Sequence, residues 1–122
     1  MAQILVIDDD LVTRILLQRL LEQDGHDVTA VESGEEGFAH YQAHRSDLVI
    51  TDLIMPGMSG LDVIEALREE FEDAKIIGIS AGAKDFPPVK RMQGADHVFS
   101  KPIDREILLR VVNRLLSTKN AP

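Results

Sequence analysis

Gln3-Ile4-Leu5-Val6-Ile7-Asp8-Asp9-Asp10 is a short apolar run that stops at three consecutive carboxylates, and from Leu11 onward the spacing becomes helical. The same change of period recurs along the chain. Apolar, β-rich runs at 3–8, 27–31, 48–52, 75–80 and 96–99 read as five strands, each followed by a helical segment. Alternation of this kind builds βαβ units around a parallel sheet whose strands are buried on both faces.

The helices carry their own start signals. Ser33-Gly34-Glu35-Glu36 fits a capping box, and Ser59-Gly60-Leu61-Asp62 is a weaker acidic version of it. Between 11 and 24, Leu11, Val12, Ile15, Leu16, Leu20 and Leu21 form a one-sided stripe that is expected to face the core, leaving Arg14, Gln18 and Glu22 to water. In the last helix Ile107, Leu108, Val111, Val112, Leu115 and Leu116 repeat that pattern. A fourth helix is expected to begin only around Pro87 and Pro88, which remove two donors, and to end by Gly94.

Composition bounds the function. With 122 residues, 44% hydrophobic and 28% charged, the chain holds one compact domain, expected over 1–116 with 117–122 as a flexible tail. Thirteen basic against 21 acidic residues give a net charge of −8, the wrong sign for direct contact with nucleic acid or an anionic membrane. Cysteine is absent, which excludes disulfides, thiolate metal sites and thiol catalysis. No apolar run approaches the roughly 18 residues of a membrane span, so a cytoplasmic location is expected. Aromatics at 4% leave little to stack on a flat cofactor or on bases.

In an open α/β sheet, functional groups gather at the carboxyl ends of the strands, beside the point where strand order reverses. Strand one ends in Asp8-Asp9-Asp10, strand three in Asp52, strand four in Ser80, and strand five runs into Ser100-Lys101-Pro102. For the order 2-1-3-4-5, Asp8, Asp9 and Asp52 share one crevice, where they repel one another unless a cation joins them. Oxygen ligands with coordination places left for water and a phosphate suit Mg²⁺. A carboxylate nucleophile, a metal, an ammonium and a hydroxyl are the parts that phosphoryl transfer needs.

Asp8-Asp9, Asp52 within Asp52-Leu53-Ile54-Met55-Pro56-Gly57-Met58-Ser59-Gly60, Ser80-Ala81 and Lys101-Pro102 together resemble the receiver domain of two-component response regulators, of the chemotaxis-regulator kind. The resemblance covers essentially the whole chain. It implies a flavodoxin-like, doubly wound, five-stranded parallel sheet of order 2-1-3-4-5 with five helices. It also implies that Asp52 is the phosphoacceptor, that Asp8, Asp9, Asp52 and the Ile54 backbone carbonyl hold Mg²⁺, and that Ser80 and Lys101 serve the phosphoryl group. The implied donors are a sensor histidine kinase, a phosphotransfer protein or a small phosphodonor. The implied output is a changed surface on the fourth helix, fifth strand and fifth helix, read by an effector protein or domain. Such a chain is a signalling domain rather than an enzyme. Where receivers commonly place Tyr or Phe three residues before the lysine, this chain has Val98, with Phe99 one place later. The sequence leaves open whether an effector belongs to a longer chain, and whether the domain forms a homodimer.

Other readings of the same residues stand beside this one. Asp10 reads as a helix cap rather than a ligand, and the bond before Pro102 belongs to the class that can be cis although most are trans. His40 and His44 are four apart on the second helix, but with no third ligand they read as a solvated face. Met55 and Met58 read as loop packing. Asp8-Asp9-Asp10-Leu11-Val12 also fits a haloacid-dehalogenase-like phosphatase with Asp8 as nucleophile and Asp10 as acid/base, a reading that gives Asp52 no role. A phosphorylation-independent interaction module is the third alternative.

Overall fold

The structure is a computed structural model that describes residues 2–80 and 94–117. Its strands are β1 (Gln3–Ile7), β2 (Asp27–Val31), β3 (Leu48–Asp52), β4 (Ile76–Ser80) and β5 (His97–Ser100). Its helices are α1 (Leu11–Gln23), α2 (Gly34–Ala43), α3 (Gly60–Glu70) and α4 (Arg105–Ser117). All strand pairs are parallel and the sheet order is β2-β1-β3-β4-β5, so the reversal falls between β1 and β3 as expected. Strand limits move by one residue at β1, β4 and β5, and α4 runs through Ser117, one residue past the expected domain end. The helix expected around Pro87 and Pro88 lies outside the described residues, as do 118–122.

The sheet separates two apolar layers, and the two-residue period of a strand assigns each side chain to one of them. Ile4, Val6, Leu48, Ile50, Ile77, Ile79 and Phe99 pack with Leu17 and Leu21 of α1 and Leu108, Val111 and Val112 of α4. Leu5, Ile7, Val49 and Ile76 pack on the other side with Tyr41 of α2 and Val63, Ile64 and Leu67 of α3. β3 and β4 are therefore buried throughout, which is why they read as continuous apolar runs.

Helix α1 departs from expectation. Leu11, Val12, Ile15 and Leu16 are exposed, whereas Leu17 and Leu21 face the core and Arg14 and Gln18 are half-buried. Because the inward face runs through 14, 17, 18 and 21, most of the stripe expected to be core points to solvent. The capping signals are also reversed in strength. Ser59 and Asp62 form the complete reciprocal box on α3, while on α2 the Ser33 hydroxyl accepts from the Glu36 N–H and donates to the Glu36 carboxylate.

Candidate functional site

Each site residue stands where a strand stops. The Asp8 N–H bonds Val31 O at 3.1 Å, closing the β1–β2 ladder, and its side chain then turns into the crevice. Asp52 is the last residue of β3, beside Ile79 in the register. Ser80 ends β4, fully buried, and its carbonyl accepts from the Lys101 N–H at 3.1 Å, which fixes the lysine just beyond β5. The Lys101-Pro102 bond is cis.

The carboxylates of Asp8, Asp9 and Asp52 converge, each offering an oxygen within 4.8 Å of the others. Lys101 Nζ donates to Asp52 Oδ2 at 3.1 Å and lies 3.4 Å from Asp8 Oδ2. Asp8 is only 1% exposed; its Oδ1 accepts the Asp10 N–H at 2.8 Å, while its buried Oδ2 has no hydrogen-bond donor. Burial pushes the Asp8 carboxyl above its ordinary value, and the Asp52 charge adds to this against the opposing Asp10 N–H and Lys101. Burial acts against the Lys101 charge too, but the bond to Asp52 and the fields of both carboxylates hold its ammonium above its ordinary value. Three converging carboxylates against one ammonium leave negative charge uncompensated. A hard divalent cation fits that donor set.

The loop after β3 is held against Asp52 by its own backbone. Asp52 Oδ1 accepts the Ile54 N–H at 3.0 Å, and the Ile54 side chain is 54% exposed. Gly57 takes a φ of +71°, the left-handed turn that suits glycine. A Cβ on Gly60 would meet Asp52 O at 1.8 Å, so the start of α3 lies directly on the main chain of Asp52. Met55 is buried and Met58 half-buried in the α2–α3 layer, in agreement with loop packing.

Asp10 caps α1, accepting from Thr13 N at 3.2 Å and Thr13 Oγ1 at 2.6 Å; these bonds, the side-chain one foremost, hold its carboxyl below its ordinary value. A carboxylate so engaged is poorly placed to trade protons. The phosphatase reading also leaves Asp52 without a role, although Lys101 Nζ donates to Asp52 at 3.1 Å, nearer than it lies to Asp8. His40 and His44 have ring centroids 5.5 Å apart, but among the described residues the one group of three metal-ligating side chains is Asp8, Asp9 and Asp52. Val98 and Phe99 point to opposite sides of β5: Val98 packs in the α2–α3 layer and Phe99 in the α1–α4 layer. Phe99 therefore does not stand in for the aromatic absent at 98.

Arg14 was not legible as a site-adjacent residue. Its Nη1 donates to the main-chain carbonyl of Asp8 at 2.9 Å, a contact that leaves no trace in side-chain patterning.

A family model for the response regulator receiver domain matches residues 4–113. Protein PilH of Pseudomonas aeruginosa is 34% identical over 96% of this chain and 99% of its own length. The chain spans about half the length of another relative, the transcriptional regulatory protein CseB of Streptomyces coelicolor, at 32% identity over 93% of this chain and 48% of that protein. Among solved structures, the response regulator TrrA of Thermotoga maritima in complex with Mg²⁺-BeF superposes with a TM-score of 0.88 at 35% identity, over 94% of this chain and 99% of TrrA. TrrA in complex with the histidine kinase ThkA gives a TM-score of 0.87 at 36% identity, over 96% of this chain and 100% of TrrA. A strand-end acidic crevice with a lysine on its central carboxylate, on a 2-1-3-4-5 sheet that matches along its length, places the chain in the response regulator receiver domain family.

Proposed function

We propose that Asp52 accepts a phosphoryl group from a histidine kinase, a phosphotransfer protein or a small donor such as acetyl phosphate. The observation that carries this reading is the convergence of Asp8, Asp9 and Asp52, with Lys101 hydrogen-bonded to the Asp52 carboxylate. An Asp52 oxygen attacks phosphorus in line, forming an O–P bond as the P–N bond of phosphohistidine or the P–O bond of an acyl phosphate breaks. Asp8, Asp9, Asp52 and the Ile54 carbonyl would hold Mg²⁺, which when bound neutralises charge on the transferring oxygens. Lys101 exchanges part of its pairing with Asp52 for a phosphoryl oxygen, and the Ser80 hydroxyl takes another. Burial of Asp8, Asp52 and Ser80 keeps these contacts in a low dielectric, where they are strongest.

In this reading 1–116 is the signalling unit, it works in the cytoplasm, and its only chemistry is on itself. Among the described residues no helix is long and apolar enough to cross a membrane. The uncovered side chains of Leu11, Val12, Ile15 and Leu16, with Ile54 near the acceptor, give a protein donor an apolar face to seat on. TrrA is found in complex with the histidine kinase ThkA. Output passes to an effector through the surface that Ser80 biases. Val98 packs where an aromatic would report that change, so the shift here is carried without a turning ring.

The test is acetyl phosphate with Mg²⁺, followed by intact mass and peptide mapping. One acid-labile phosphoryl group on Asp52, absent from Asp52→Asn, is expected; a label on Asp8 would overturn the assignment.

A further inference from the structure

The Asp8–Asp9 peptide joins two of the three converging carboxylates, and it is held from both sides. On one side the Asp8 carboxylate accepts the Asp10 N–H at 2.8 Å. On the other, the Asp8 carbonyl accepts Arg14 Nη1 at 2.9 Å, from a residue on the inward side of the first turn of α1. A peptide unit is planar, so fixing the direction of the Asp8 carbonyl also fixes the direction in which Asp9 leaves it. Asp9 is exposed, and among the described residues its carboxylate has no hydrogen bond or ion pair. The orientation of its main chain thus sets the origin and the range from which its two side-chain torsions can aim the carboxylate.

We infer that Arg14 is a positioning residue for the divalent-cation site: its guanidinium holds the Asp8–Asp9 peptide so that the two carboxylates face Asp52 before any cation arrives. This rests on the assignment of Asp8, Asp9 and Asp52 as the Mg²⁺ ligands. Groups that orient metal ligands without touching the metal commonly change affinity by about 10- to 100-fold when removed. A second effect acts with the opposite sign, because Arg14 is itself a cation close to a cation site. Coulomb repulsion alone would make the chain without Arg14 bind Mg²⁺ more tightly. The sign of the change therefore separates orientation from charge.

Arg14→Met is the variant of choice, since it keeps an apolar stem of similar length and removes the donors. Mg²⁺ titrations of the full chain by calorimetry, for the parent, Arg14→Met and Asp9→Ala, are paired with melting curves in EDTA. The expected result is a Kd for Mg²⁺ raised about tenfold in Arg14→Met. With EDTA present, the Asp9 and Asp10 amide resonances should shift and lose exchange protection in Arg14→Met, while amides of β3 and β4 stay in place. That localised signature marks orientation of the turn, since a general loss of stability would move the β3 and β4 amides as well. Mg²⁺ binding by Arg14→Met as tight as the parent's, or tighter, would overturn the inference. If the parent takes up no Mg²⁺, the ligand assignment fails and the inference with it. If Asp9→Ala loses the ion while Arg14→Met keeps it, the assignment stands and only the role of Arg14 is refuted.

Discussion

Replacing Gly60 by alanine should damage phosphorylation far more than its one added methyl suggests. The new Cβ would lie 1.8 Å from Asp52 O, 2.6 Å from Asp52 C and 2.7 Å from Leu53 Cα, all of them backbone atoms that cannot rotate aside. Real Cβ atoms essentially never come closer than 3.0 Å, so the first turn of α3 and the Asp52 carbonyl must part by more than an ångström. Overpacking of this kind costs about 1–3 kcal/mol, and the better helix propensity of alanine returns at most about 1 kcal/mol. A net loss of about 1–2 kcal/mol should lower Tm by roughly 4–10 °C, at about 4–5 °C per kcal/mol for a domain between the small and large size classes. The larger effect is on chemistry: misplacing a reacting group by about 1 Å costs on the order of 100-fold in rate. The assay is the rate of Asp52 labelling by acetyl phosphate at saturating Mg²⁺, read by intact mass. Gly25→Ala is the control, because Gly25 has a φ of +92° and nothing within 4 Å of its added Cβ. It should lose about 1–3 kcal/mol from backbone strain and still label at the parent rate. If Gly60→Ala labels within about threefold of Gly25→Ala, a tolerance well below the rate loss expected from the displacement, the start of α3 does not set the position of Asp52.

Asp8→Asn should raise Tm by a few degrees at pH 7 in EDTA, about 1 kcal/mol, by removing, beside Asp52, a buried charge whose Oδ2 has only its 3.4 Å ion pair with Lys101. The sign follows from the raised carboxyl of Asp8: stability present at acid pH is lost as pH rises through the folded-state value, so the advantage of asparagine should fade on acidification and an advantage that grows would be contrary. Leu17→Ala should cost about 2–4 kcal/mol and Leu16→Ala under about 0.5 kcal/mol, since Leu17 is 3% and Leu16 63% exposed; equal urea midpoint shifts would show α1 rotated from its described face. Ile54→Asn should hasten loss of the aspartyl phosphate about tenfold, close to 1.4 kcal/mol, by opening the path of the attacking water, and an unchanged decay of the labelled mass would remove Ile54 from that path. Ser80→Ala should leave Asp52 labelled yet blunt the amide-exchange response of β5 to beryllofluoride, which an undiminished response would contradict.

The sheet was legible because doubly buried strands cannot hide: Leu48 to Ile50 and Ile76 to Ile79 are apolar on both faces, and each ends in a residue with chemistry. The site was legible for the same reason, since a topological rule converts strand ends into neighbours. Helix α1 was misread because both of its faces carry leucine. A period locates a stripe on a helix, but the sheet selects which stripe it covers, and Leu17 with Leu21 fills the gap beside Leu108 better than Leu16 does. Arg14 escaped because its partner is a main-chain carbonyl, and every residue has one. The capping boxes were ranked by the usual preference for Glu at the third position, yet the shorter Asp62 closed the loop that Glu36 did not.

Leu11, Val12, Ile15 and Leu16 lie uncovered on a body of net charge −8, so two copies attract through one face while repelling as wholes. Repulsion between them reaches about 30 Å in 10 mM salt but only about 3 Å in 1 M, whereas apolar attraction survives and is strengthened by sulfate or phosphate. The protein should therefore be colloidally quiet in dilute buffer and turn sticky as salt is added, the reverse of a protein held together by ion pairs. Light scattering across a sodium sulfate series would trace that crossover, and a single Leu16→Glu exchange should push it to higher salt.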